Sequence, residues 1–161
     1  MSLVIRKAKR KDAKAFLGLV RALAKFEKLD PPTPAAARRL IRDTISAKKL
    51  SLLLAFSDDK AVAYALYFFT YSSFLARPTL YLEDIFVLEE FRGKKIGKKM
   101  FLNLVREAKR LECGRMEWAV LKWNKNATRF YEHLGAKRLE QWQYYRLDRK
   151  GIESLADQKI D

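Results

Sequence analysis

"LYLEDIFVLEEFRGKKIGKKM", residues 80–100, decides the fold. It begins as an apolar strand, is interrupted by two adjacent acids, Glu83 and Asp84, and runs into a basic loop with two glycines. From Ile96 the apolar positions change period: Ile96, Met100, Leu104, Ala108 and Leu111 recur at helical spacing. A strand that feeds a helix through "FRGKKIGKK" leaves free N–H groups and a positive dipole end beside five cations, Arg92, Lys94, Lys95, Lys98 and Lys99. Gly93 and Gly97 let a bulky anion approach the backbone. The junction reads as a cradle for phosphates, the plainer alternative being a solvated lysine-rich loop.

Outward from this junction the chain follows one pattern. "LVIRKAK" (3–9) reads as a strand, and from Asp12 the spacing of Phe16, Leu17, Val20, Leu23 and Ala24 predicts a helix that Pro31–Pro32 stops. Thr33 as N-cap and Pro34 at the first helical position start another, with Leu40, Ile41, Thr44 and Ile45 on its apolar face. "KLSLLLAFSDDKAVAYALYFFTY" (49–71) reads as a hairpin around "SDDK". After the long helix, Gly114 marks its stop, and "RMEWAVL" (115–121) alternates as a strand. "NKNATRFYEHLG" (124–135) is a helix with Asn caps and a terminal glycine, and "WQYYRLDR" (142–149) reads as a last strand. The tail after Gly151 reads as a short helix or a frayed end. The order β-α-α-β-β-β-α-β-α-β predicts an α/β fold with a mixed sheet and helices on both faces, in a single domain over 1–161.

The 161 residues suit one domain with a hydrophobic core. The longest charge-free stretch, 61–76, is too short for a membrane span, and the N-terminus lacks a signal-peptide pattern. The single cysteine, Cys113, excludes an internal disulfide and points to a reducing cytoplasm. The net charge of +15 draws polyanions, so a nucleic-acid partner is possible. The charge is uneven, however: residues 50–91 carry a net −4 and residues 92–112 a net +6. An acidic middle abutting a basic helix is not needed for a uniform nucleic-acid coat, so that partner is not favoured. His133 reads as a surface residue, Cys113 as filler, and Trp118, Trp123 and Trp142 as packing or dimer contacts.

"LYLEDIFVLEEFRGKKIGKKMFLNL" resembles the acetyl-CoA-binding core of the GNAT N-acetyltransferase superfamily, whose loop pattern is Arg/Gln-x-x-Gly-x-Gly/Ala. Here the loop is Arg92-Gly93-Lys94-Lys95-Ile96-Gly97, with Lys95 in place of the first motif glycine. A lysine there is expected to take negative φ, with its amide facing the pyrophosphate and its side chain turned away. Six blocks together, "VIRKAKRKDA", "ALAKFE", "YFFTY", "LYLEDIFV", "FRGKKIG" and "WNKNATRFYEHLGA", resemble the diamine (spermidine/spermine) N-acetyltransferase family in order, from residue 4 to about 138.

The resemblance implies acetyl-CoA as co-substrate, no metal, and direct attack of an amine on the thioester. It gives Tyr131 the role of proton donor to the departing thiolate, where core packing is the plainer reading. Glu83 is the candidate base, acting through water, and Glu27, Glu83 and Asp84 are candidates for binding a small cation bearing primary amines. A bulge after the Glu83–Asp84 pair is expected to splay this strand from "RMEWAVL". Backbone at Ile85, Phe86 and Val87 would then meet the pantetheine arm, with an N–H near Ile85 for the oxyanion. The phosphates would fall to Arg92, Gly93, Lys94, Lys95, Ile96, Gly97 and Lys98, and Asn124, Asn126 and Ala127 would lie near the cofactor, where helix capping explains the asparagines as well. Relatives act as homodimers, so a dimer is expected. The competing expectations are acetylation of a protein at its N-terminus or lysines, and a GNAT-like module that binds nucleic acid or the ribosome.

Overall fold

Five strands form the sheet, and their order in space is their order in sequence: β1 (Leu3–Lys7), β2 (Ser51–Ser57), β3 (Lys60–Ser72), β4 (Arg77–Val87) and β5 (Arg115–Glu117). The first four run antiparallel and β5 joins β4 in parallel, making the sheet mixed. The structure is a computed structural model that describes residues 2–158. It has two compact units, divided between Ala119 and Val120.

The first unit holds the whole sheet and three helices, α1 (Ala13–Glu27), α2 (Pro34–Ile41) and α3 (Ile96–Arg110). Side chains alternate along a strand, so each strand offers one set of apolar residues to each face. On one face Phe16 and Leu19 of α1 pack with Leu52, Leu54, Tyr64, Leu66 and Phe86. The other period belongs to α3, which contacts β2, β3 and β4 and buries Ile96, Met100, Leu104 and Ala108.

Local chemistry sets the boundaries. The Asp12 carboxylate takes two hydrogen bonds from Arg6, at 2.7 and 3.0 Å, and one from the Lys9 N–H at 2.7 Å. That network ties β1 to the entry of α1 and holds the Asp12 carboxyl below its ordinary range, the Arg6 hydrogen bond being the chief cause. Thr33 caps α2 by accepting from the Ala36 N–H, and Pro34 occupies the first turn, as the sequence predicts. Beyond Ile41 the helix widens into a π-turn, Arg42–Ser46, where the buried Thr44 hydroxyl donates to the Leu40 carbonyl at 2.7 Å. The β2–β3 hairpin turns at Asp58–Asp59, with Asp58 at φ 52°.

Three expectations are corrected. Gly114 is not the left-handed stop of α3; Glu112 takes that conformation, at φ 52°. Gly114 is needed for space, since a Cβ there would stand 2.9 Å from Leu75 Cδ1 and 3.1 Å from Arg77 Cβ. The strand read over 115–121 stops at Glu117, because its partner β4 leaves the ladder after Tyr81. The strand read over 142–149 does not form among the described residues. Its apolar residues Trp142, Tyr144, Tyr145 and Leu147 fall on both alternating sets, so they cannot all turn to one buried face, and each is more than half exposed. Asp148 then accepts from the Gly151 N–H at 2.8 Å and starts a helix, α5 (Arg149–Ala156), inside the expected strand.

The second unit holds α5 and α4 (Lys125–His133). Asn124 caps α4 by accepting from the Ala127 N–H at 3.1 Å, and Gly135, at φ 89°, ends it. No described helix is long and apolar enough to cross a membrane.

Candidate functional site

β4 carries one residue more than its partner. Leu66 pairs with Asp84 and Tyr67 with Leu82, which leaves Glu83 unpaired in a bulge. The bulge therefore sits within the acid pair, where the sequence placed it after the pair. It lets two consecutive acids act on one locality. Asp84 lies in the ladder opposite Leu66, on the face that carries Tyr64 and Phe86, while the exposed Glu83 still bears electrostatically on both Asp84 and Tyr64.

Glu27, the last residue of α1, completes the group. Its carboxyl is pushed up by burial. That of Asp84 is pushed up to about 6, first by burial and then by the charges of Glu83 and Glu27. The Tyr64 hydroxyl opposes this shift by donating to Asp84 Oδ2 at 3.1 Å. Tyr64 is fully buried, and its phenol is raised by burial and by the same carboxyls, so it remains a donor at every ordinary pH. No cation among the described residues contributes to the field at Asp84. Three acids without a counter-charge among the described residues can accept an external cation. Sequence reasoning missed Tyr64: a tyrosine in "AVAYALY" carries no mark that separates it from core.

The backbone beyond the bulge has no strand partner on one side among the described residues. The Leu88 N–H bonds the Val62 carbonyl at 2.9 Å. Antiparallel partners alternate, so Asp84 and Phe86 bond to β3, while Ile85 and Val87 turn their amides and carbonyls to the opposite edge. β5 occupies that edge only along Thr79–Tyr81. An extended chain of amides, such as pantetheine, fits the remainder as an added strand would.

The loop that follows fits a phosphate chain. Lys99 N–H is the first to bond back, to the Lys95 carbonyl at 3.0 Å, so the amides of Ile96, Gly97 and Lys98 lie ahead of the α3 ladder. Lys94, Lys95 and Lys98 are exposed, and a Cβ at Gly93 would meet nothing within 4 Å. Arg92 is oriented differently. Its guanidinium lies 4.5 Å from the Phe26 ring centroid and 5.6 Å from that of Phe86, and its Nε donates to the Val87 carbonyl at 3.1 Å. It ties the loop to α1 and β4.

Lys95 is a correction. Its φ is +60°, in the left-handed region where the family's glycine is at ease, and not negative. An L-residue held there costs about 1–2 kcal/mol, partly offset by the entropy a glycine would lose on folding. Lys95→Gly is expected to raise Tm by about 2–4 °C in a calorimetric scan. An unchanged or lower Tm would show that the lysine is unstrained.

In the second unit Tyr131 is buried within α4, and burial pushes its phenol up to about 12. Asn124 is the N-cap, Ala127 supplies the N–H that Asn124 accepts, and Asn126 is exposed. His133 ends α4, exposed, and Cys113 is half-buried with its thiol raised by burial. No group of three His, Cys, Asp or Glu side chains suited to a metal occurs among the described residues. Two open grooves of about 390 and 300 Å3 lie away from the acids, one lined by Lys99, Asn103 and Arg106 and the other by Lys7 and Lys48. They account for part of the basic surface.

Comparison with known proteins gives concordant matches. The acetyltransferase (GNAT) family model matches residues 4–136. A thialysine N-epsilon-acetyltransferase of Bos taurus is 34% identical, covering 95% of this chain and 96% of that one. A spermidine/spermine N(1)-acetyltransferase-like protein of Homo sapiens is 30% identical over 94% of this chain, which spans only 23% of that longer protein. Among solved structures, an aminoglycoside N-acetyltransferase in complex with CoA superposes with a TM-score of 0.76 at 22% identity, covering 92% of this chain and 95% of that one.

Proposed function

The chain belongs to the acetyltransferase (GNAT) family and is an acetyl-CoA-dependent N-acetyltransferase; from that premise we propose that its acceptor is a primary amine on a small cation, a diamine, a polyamine or a lysine-like amino acid. The observation that carries this reading is the cluster of Glu27, Glu83 and Asp84, acidic and without a counter-charge among the described residues on a protein of net charge +15. One ammonium group is held by Glu27 and Asp84 while another, on the side of Glu83, presents its nitrogen.

An alkylammonium has a pKa of roughly 10 and must lose a proton before it attacks. Glu83, exposed at the bulge, takes that proton through water. Acetyl-CoA supplies the activated acyl group. The outward edge of Ile85, the Val87 N–H and the amides ahead of α3 are the groups that would hold it, with Lys94, Lys95 and Lys98 answering its phosphates. Tyr131 keeps its proton at neutral pH and is the donor for the departing sulfur.

A screen of small amines with acetyl-CoA, read by thiol release, tests the acceptor class. Lysine analogues, ornithine and spermidine are expected to turn over at least tenfold faster, per unit concentration, than monoamines of equal length that lack a second cationic group. Equal rates for monoamines without a second cationic group, or turnover of peptides alone, would overturn the reading.

A further inference from the structure

The acid cluster contains one group that the chemistry above leaves unused. Tyr64 lies at the centre of β3, fully buried, with its ring 5.3 Å from that of Phe16 and 6.4 Å from that of Phe86. A phenylalanine would satisfy that packing. The hydroxyl is instead aimed across the ladder at Asp84 Oδ2, 3.1 Å away. Asp84 Oδ1 accepts no hydrogen bond from the described residues.

We propose that Tyr64 is a positioning residue for the acceptor amine: by donating to Oδ2 it fixes the Asp84 carboxylate as an anion whose Oδ1 receives the substrate's ammonium group. The inference rests on the acceptor class proposed above and deepens it. The groups that face Asp84 are Tyr64 from β3, Glu83 from β4 and Glu27 from α1. The two carboxyls and the burial all favour the neutral acid, and Tyr64 alone among them favours the anion. The hydroxyl therefore decides whether a half-buried acid between two others binds a cation at neutral pH. It acts through Asp84 and needs no contact with substrate.

The test is the Tyr64→Phe variant, isosteric but for the hydroxyl, with kinetics measured from pH 5.5 to 8.5. Wild type is expected to lose kcat/KM for the amine as the pH falls through about 6, the range in which Asp84 takes up a proton. In the variant this acidic limb moves up by about one pH unit. At pH 5.5 the amine KM rises about eightfold, at pH 8.5 the difference closes, and the acetyl-CoA KM stays unchanged at both. A merely structural tyrosine would lower activity by the same factor at every pH, and that result would overturn the proposal. In an Asp84→Asn background the Tyr64→Phe change is expected to have no further effect on the amine KM. A full rise of about eightfold at pH 5.5 there would show that Tyr64 acts elsewhere. Wild-type turnover separates the two levels: failure with every cationic amine removes the acceptor reading and this inference with it, while an active wild type with an unmoved limb removes only the role of Tyr64.

Discussion

Replacing Tyr131 by phenylalanine is expected to lower kcat by about 10²–10³-fold while leaving the affinity for acetyl-CoA within about twofold. The phenol is buried and pushed up to about 12. A thiol such as that of CoA ionises near 8.5, so this phenol is the weaker acid and full proton transfer to the sulfur would run uphill. The work assigned to Tyr131 is hydrogen-bond donation to charge that develops as the carbon–sulfur bond breaks. Such a donor is worth much more in the transition state than in the ground state, which is why kcat falls and binding does not. Steady-state kinetics together with isothermal titration of CoA would check it. Unchanged turnover would return Tyr131 to the packing role that its apolar helix face also allows.

The second large effect is at the bulge. Glu83→Gln is expected to reduce kcat/KM for the amine by about 10²-fold or more at pH 7. Without a base, only amine already free in solution reacts, and that fraction grows about tenfold per pH unit below a pKa of roughly 10. The deficit should therefore shrink by about tenfold per unit as the pH is raised from 7 to 9. A deficit that stays constant across that range, or none, would take the base role from Glu83. The neighbouring Asp84, with its carboxyl near 6, would then be the group to test.

Much of this was legible because apolar period and punctuation agree along the chain. The hairpin around Asp58–Asp59, the Thr33–Pro34 helix start and the long helix from Ile96 are each specified by local residues, and each forms where those residues place it. The misreadings have a common origin in long-range geometry. "RMEWAVL" alternates like a full strand, yet a strand is only as long as the neighbour it pairs with, and β4 leaves the ladder after Tyr81. "WQYYRLDR" has strand-forming residues but no single apolar face, and Asp148 draws its end into a helix. Lys95 takes a left-handed conformation that no lysine advertises. Within the candidate site the acids were conspicuous because charge rarely interrupts an apolar strand, whereas Tyr64 was hidden among residues that belong in a core.

The unpaired Glu83 puts β4 one step out of phase with itself. Residues before it and residues after it obey opposite parities, so the strand behaves as two half-strands spliced together. Point substitutions leave that splice intact, whereas a single-codon deletion at Glu83 erases it. The shortened strand could zip smoothly along β3 and regain a regular ladder. It would gain order while losing the offset that gathers its acids. For this stretch of chain, length is therefore the more vulnerable inheritance than composition: a lineage can exchange side chains here gradually, but it cannot drift through a change of one in the residue count.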